Sequence, residues 1–337
     1  MNILHITSTD PAGSVFNFVN AMNTHTPHRA RLITTVPNAY EFPTDIGTIY
    51  DGGDEIDALL READVIHLHK VHEDFEIPVH MEKRGVLRKF VIADVLKAFP
   101  SKKLVCHIHG HPYERNNVKE NAAHYKKLGV KVLCSTPDLE AMYRPEYDGV
   151  QWFPNCVPVN DVRYLPRASD RPIMMANGEE RLCVVHTPTH ALLKNIQELQ
   201  AVMKRIGAET KSFLMNIQGV PHDQALRHKR NAHVVFDHMQ GYYGLSSLEG
   251  LSMGKPTIAG LTPYAYQAIE SFFGLVAPSS LPWVLATDEA KLEEKLRKHL
   301  TDENLRREVG TKSRKFMEEV WSDRAIGQRL AAFYSSL

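Results

Sequence analysis

Glu249 follows Gly241, Tyr243 and Gly244 within the stretch 233–260, HVVFDHMQGYYGLSSLEGLSMGKPTIAG. Its residue types suit the binding of a phosphorylated ligand. The pattern predicts a short apolar strand (His233–Phe236), a glycine-containing loop (Gln240–Gly244), a helix (Leu245–Met253) and a second strand (Pro256–Ala259). Gly254 suits the left-handed position after a helix, and Pro256 cannot continue one. Gly244 would let a ligand approach the backbone just before the helix N-terminus, where free N–H groups and the positive end of the dipole attract phosphate. Glu249, in the second helical turn, is placed to accept hydrogen bonds from sugar hydroxyls.

A second group is His186-Thr187-Pro188-Thr189-His190 followed by Lys194. Lys194 offers a compact cation to an anionic ligand, with Thr189 and His190 as neighbouring donors. A lone lysine at the start of a helix is often merely solvated. Histidines form the third group. The chain has 18, and His67, His69, His107, His109 and His111 lie at or just past expected strands. Alternation would place His107, His109 and His111 on one face, as metal ligands require. No carboxylate or cysteine completes a known ligand spacing, so no metal is expected. The fourth group is the loop Ser8–Phe16, with Gly13 and Ser14, after the first strand. Ligands meet α/β sheets at such strand ends. Gly13 and Ser14 are candidates for phosphate or acceptor contact, and an ordinary turn is an equal alternative, because no Gly-x-Gly-x-x-Gly fingerprint is present.

The elements that must position these groups alternate between strand and helix, the pattern of doubly wound α/β proteins. Apolar runs predict strands at Asn2–Ile6, Arg31–Thr35, Val65–Leu68, Leu104–Ile108 and Lys131–Cys134 in the first half. In the second half they predict Leu182–His186, Phe213–Ile217, His233–Phe236 and Pro256–Ala259. Ile196, Leu199, Met203 and Ile206 make one buried stripe of a helix over Lys194–Ile206. Proline-rich sequence near Pro154–Gly178 suggests a boundary, giving domains 1–160 and 161–315 and a terminal helical segment 316–337. A chain of 337 residues can build two such cores. Lys plus Arg equals Asp plus Glu at 40 each, which argues against a general nucleic-acid binder. No apolar run approaches a membrane span. Cys106, Cys134, Cys156 and Cys183 form no Cys-x-x-Cys pair and suit reduced, buried positions in a cytosolic protein, with peripheral membrane association left open.

The register of Tyr243, Gly244, Glu249, Gly254 and Pro256 resembles the donor-binding signature of retaining GT-B glycosyltransferases, the group-1 or family-4-like enzymes. Their pattern runs Glu, Gly, aromatic, Gly, four residues, Glu, Ala, Met, Ala, any, Gly, any, Pro. Gly241 stands where the first glutamate of that pattern would be. Phe153–Pro158 resembles the turn that closes the first domain of that fold, and Lys194 matches its phosphate-binding lysine, whose arginine partner is absent here. The resemblance implies two Rossmann-like domains facing a cleft, with a C-terminal helix, for which Phe316–Tyr334 is the candidate, crossing back to the first. It implies transfer of a sugar, with retained configuration, from a nucleotide-sugar donor to the hydroxyl of an unassigned glycan, lipid-linked or small-molecule acceptor. Neither cofactor nor metal is implied, and modified DNA is disfavoured by the zero net charge. Lys194 and the amides after Gly241 would hold the diphosphate, Glu249 the ribose, and the backbone around Val220 the base. His109 would support transfer, with His111 as second choice. Two other readings are a non-catalytic nucleotide- or glycan-binding protein and a sugar-nucleotide epimerase or hydrolase on the same fold.

Overall fold

The computed structural model describes residues 1–10, 12–34, 42–47, 53–69, 76–81, 86–91, 97–167, 170–188, 194–275 and 281–337. The chain divides into two compact units, Met1–Cys156 with Asp323–Leu337, and Val157–Ser322.

The first unit runs β1 (Asn2–Thr7), α1 (Ser14–His25), β2 (Arg29–Thr34), β3 (Ile46–Gly47), α2 (Gly53–Glu62) and β4 (Val65–His69). It continues through β5 (Glu76–Met81), β6 (Val86–Val91), β7 (Lys103–Ile108), α3 (Pro112–Asn116), α4 (Val118–Leu128), β8 (Lys131–Cys134), α5 (Pro137–Tyr143) and β9 (Val150–Trp152). Seven strands form one sheet in the order β3-β2-β1-β4-β7-β8-β9, and every pairing is parallel. The antiparallel pair β5–β6 stands apart from it. Parallel strands covered on both faces carry near-continuous apolar side chains. That rule explains Ile3, Leu4, Ile6, Val65, Ile66, Leu68, Val105 and Cys106, all buried. It makes His5, His67 and His107, equally buried in the same strands, the exceptions to explain.

The second unit holds β10 (Ile173–Met174), β11 (Glu180–His186), α6 (Ile196–Ile206), β12 (Ser212–Asn216), α7 (His222–Asn231), β13 (Val234–Phe236), α8 (Leu245–Ser252) and β14 (Thr257–Ala259). After these come α9 (Pro263–Phe273), β15 (Val284–Leu285), α10 (Glu289–Thr301) and α11 (Glu303–Glu319). Its parallel order is β12-β11-β13-β14-β15, with β10 antiparallel on β11. The expected stripe on α6 is present: Ile196, Leu199, Met203 and Ile206 are buried and join Leu292, Leu296 and Leu300 of α10 in one core.

The C-terminal segment differs from the single helix expected over Phe316–Tyr334. It is two helices, α11 and α12 (Asp323–Ser336), separated at Val320–Ser322. The second of these helices is held in the first unit from its first turn. Asp323, in the first turn of α12, bonds His25 Nε2 at 2.8 Å. Gly327 then lets α12 lie close on α1, since a Cβ there would stand 3.1 Å from the Ala21 carbonyl. The helix thus belongs to the first unit. Among the described residues, no helix is long and apolar enough to cross a membrane. The four cysteines are free and buried.

Candidate functional site

In the second unit the strand order reverses between β11 and β13, and in such sheets the carboxyl ends of the strands at that point form a binding crevice. Thr187 leaves β11 there. Asp237 to Gly244 leave β13 and lead into α8. Hydrogen bonds tie these distant pieces together. Thr187 Oγ1 lies 3.1 Å from Ser246 Oγ in the first turn of α8, and the Met239 N–H donates to Asn195 Oδ1 at 2.8 Å. Asn195 itself is left-handed, with φ 55°. The turn that holds Lys194 is therefore pinned to the loop that precedes α8. Lys194 Nζ sits 5.5 Å from the centroid of the Tyr242 ring, within the range of a cation–π contact. Lys194 precedes α6 in that turn, rather than starting the helix as its spacing suggests. Thr189 and His190 lie outside the described residues.

The N-terminus of α8 has no side-chain cap. Behind it, the buried Asp237 carboxylate accepts from the Gly244 N–H at 2.5 Å and from Ser247 Oγ at 2.7 Å. Burial alone would raise the Asp237 carboxyl. His238, Lys194 and those two donors outweigh it and hold the group at about 2, so it is ionised at neutral pH. Gly244 is needed here for a different reason from the one the sequence suggests. A Cβ would meet the Asp237 carboxylate at 2.9 Å, so the close approach is to the protein's own side chain. Gly241 has φ 92°, a conformation suited to glycine, and bridges Leu261 across the loop. Tyr243 is not a ligand contact in this arrangement. It is buried, with ring centroids 5.7 Å from Trp283 and 5.2 Å from Trp321. Its neighbour Tyr242 faces Lys194.

Glu249 is 3% exposed. One carboxylate oxygen lies 2.6 Å from His222 Nε2, and the other accepts from Lys229 Nζ. Burial pushes this carboxyl up, but Lys229 and His222 hold it at about 2. Lys229 and His222 both come from α7, so α7 and α8 are joined through a buried ion pair. His222, at 14% side-chain exposure, is the more accessible end of the trio. The turn Gly219–Val220–Pro221 leads directly into α7 after β12, with Gly219 at φ 64°.

In the first unit the order reverses at β1 and β4, and five histidines gather at that end of the sheet. His5 on β1 pairs in register with His67 on β4, and His69 with His107 on β7. His5 Nδ1 lies 2.9 Å from His69 Nε2, and His69 Nδ1 lies 2.9 Å from His109 Nε2. Tyr334 of α12 reaches His67 Nδ1 at 2.5 Å and His5 Nε2 at 3.4 Å. The rings stack, with the His67 and His107 planes 7° apart. Burial drives the His5 and His107 imidazoles down to about 3 and lowers His67 and His69 well below the ordinary range, so all four are neutral near pH 7. Ring nitrogens of His5, His67 and His69, and of His69, His107 and His109, lie within 4.8 Å of one another, so either trio could close on a transition metal.

The expected grouping of His107, His109 and His111 on one face is not what the fold makes. The strand ends at Ile108, and His111 turns away to cap α3, its Nδ1 accepting from the Tyr113 N–H at 3.3 Å. His109 is the half-buried member of the cluster, and its backbone N–H donates to Glu114 at 3.1 Å. Gly13 and Ser14 are also placed differently from a phosphate loop. The buried Asp10 carboxylate already fills the N-terminus of α1, accepting from the Phe16 N–H at 2.9 Å and from Ser14 Oγ at 3.3 Å. Gly13 has φ 69°, and a Cβ on it would run into the Phe42 ring.

No protein-family model matches the chain, and no curated protein sequence matches it. Solved structures do. The chain is similar to HepE from Anabaena, in complexes with UDP and glucose (15% identity, 100% of both chains, TM-score 0.66) and with UDP-glucose (14%, 100% of both, 0.65). It is similar to an alpha-glucosyltransferase bound to UDP and a 13-mer DNA containing an HMU base (11%, 99% of both, 0.64). It is also similar to sucrose-phosphate synthase from Thermosynechococcus elongatus (13%, 100% of this chain and 99% of that one, 0.62). An α/β chain with two parallel-sheet units matches these structures: this chain has the GT-B glycosyltransferase fold.

Proposed function

We propose that the protein is a retaining glycosyltransferase that takes a nucleoside diphosphate sugar and passes the sugar to an acceptor hydroxyl. One observation carries the reading: the Thr187–Ser246 and Met239–Asn195 hydrogen bonds hold the turn that carries Lys194 beside the start of α8, at the sheet's switch point. A cation beside free helix amides suits a diphosphate leaving group, which gains negative charge as the glycosidic bond breaks. Two similar structures carry UDP, and a third carries UDP-glucose, which makes a uridine nucleotide the first donor to test. In this reading Lys194 and the amides after Gly244 hold the diphosphate, with Tyr242 beneath the lysine. The Glu249–His222 pair meets the ribose through its more accessible histidine end. The turn at Val220 lies by the base. Gly241 leaves the sugar ring without the family's first glutamate, so sugar recognition falls to other residues.

His109 is assigned to the transfer step in the first unit. His69 Nδ1 lies 2.9 Å from the His109 Nε2 and so holds that ring in place. His109→Ala should lower kcat by tenfold or more while leaving nucleotide affinity nearly unchanged, the mark of a group that acts in the transition state. Normal turnover in that variant would make it a structural histidine. Turnover is expected to survive exhaustive chelation. If zinc or manganese restored a chelated enzyme, the histidine trios would be assigned as its metal site.

A non-catalytic nucleotide-binding role is the second reading. It is favoured by the Glu249 carboxylate being committed to Lys229 and His222. Thermal shift against UDP, GDP, ADP, CMP and their sugars tests both. A ligand at a hundred times its Kd stabilises by about 2.7 kcal/mol. Stabilisation by UDP together with consumption of its sugar is expected for the enzyme. Stabilisation without any sugar release, over a panel of acceptors, would favour the binding protein.

A further inference from the structure

The second unit contains a cavity of about 720 Å³ at the opposite end of its sheet from Lys194. Its wall includes His233, Lys255 and Pro256, which precede β13 and β14, whereas Thr187 and Asp237 follow β11 and β13. Basic side chains outnumber the three carboxylates of the wall, Asp170, Glu303 and Glu318. Several of the basic groups are committed. Arg306 bonds Asp170 and the carbonyls of His299 and Leu300. Arg314 bonds Glu318 and the carbonyls of Val159 and Ser252.

Lys255 is different. It is 6% exposed, and among the described residues its ammonium has no hydrogen bond or ion pair. Its backbone is fixed on both sides, by its own N–H donating to the Gly250 carbonyl at 3.0 Å and by the Val235 N–H donating to the Pro256 carbonyl at 3.0 Å. Gly310 of α11 closes against Gly254, where a Cβ would collide with the backbone. Lys255 thus lines the cavity from a backbone that is held on both sides. Burial lowers its ammonium to about 8, against the opposing pull of Asp170. A buried cation without a partner costs stability. A chain of zero net charge that keeps one in a concave, arginine-lined wall has a place for an anion. A cavity of this size suits a small molecule rather than a flat protein face.

We propose that this cavity is a second anion site, which takes a small phosphate-bearing molecule through Lys255, with Arg167 and Lys315 as further cations. It stands apart from the donor site and does not depend on the reading given for Lys194. The test is calorimetric titration of pyrophosphate at constant ionic strength, made on the Lys194→Ala protein so that the donor site does not report. Saturable binding near one equivalent is expected, weakened tenfold or more by Lys255→Met. The same substitution should raise Tm in the absence of anion, because it removes a largely buried cation that has no hydrogen bond or ion pair among the described residues. Arg167→Gln, at an exposed position, supplies the affinity readout should Lys255→Met fold poorly, with a several-fold loss expected. No saturable binding, or binding unchanged by both substitutions, would overturn the proposal. Binding present in the native protein but lost in Lys194→Ala would place the anion at the donor site and overturn it as well.

Discussion

Glu249 shows why a side chain's partners decide how it must be tested. Its pattern position points to ribose, and truncation to alanine looks like a clean probe of nucleotide affinity. The structure adds Lys229, 2% exposed, on the other oxygen. Glu249→Ala would strand that buried ammonium and cost roughly 3–5 kcal/mol of stability, so a loss of nucleotide binding would report folding. Glu249→Gln keeps the shape and is the better probe. The pH dependence separates the two. The folded carboxyl titrates near 2, against an ordinary value of 4.5. Its contribution is complete above about 4.5 and disappears as pH falls towards 2. The stability gap between the native protein and Glu249→Gln should be constant from pH 5 to 7 and shrink below 4.5, as read by urea unfolding. A gap that grows on acidification would contradict the ion pair. None of this was legible in the sequence: Lys229 and His222 meet Glu249 only when α7 and α8 pack. Tyr242 and Tyr243 make the same point. Adjacent tyrosines leave the loop on opposite sides, and the pattern singled out the one that the core took.

At the scale of elements, apolar runs located the strands well where they were long and buried, as for β8, predicted and found at Lys131–Cys134. The two-residue strands β3, β10 and β15 carry too short a run to stand out. The histidine cluster lay between these cases. Repeated histidines at 67–69 and 107–111 signalled it, but His5 joins only through the β1–β4 register, and His111 leaves because α3 begins with it as cap. The cluster has a consequence for acid stability. Its neutral, buried imidazoles have folded-state values near 3, while the unfolded chain takes up protons from about 6.5 downward. Stability should therefore begin to fall below pH 6.5, before the carboxylates titrate. His107→Phe, placed beside Phe18 at a centroid distance of 5.5 Å in the parent, should flatten the loss between pH 6.5 and 4.5. An unchanged slope in that interval would mean that the imidazoles are not buried neutral.

At the scale of the whole molecule, alternation of strand and helix and the Gly241–Pro256 pattern were enough to read two doubly wound units and the family of the fold. Sequence comparison adds nothing, since no family model or curated protein matches. The likeness appears at the level of backbone, at 11–15% identity to the three relatives described. Lys194 is the residue on which the account depends, because the family's arginine partner is missing. The decisive measurement is calorimetric titration of UDP and of uridine against the native protein and Lys194→Ala. Loss of a charge-assisted contact of about 1.5–3 kcal/mol should weaken UDP roughly tenfold to a hundredfold, with uridine changed by less than a factor of two or so. Equal losses for both ligands, or UDP affinity unchanged in Lys194→Ala, would contradict a diphosphate site at Lys194.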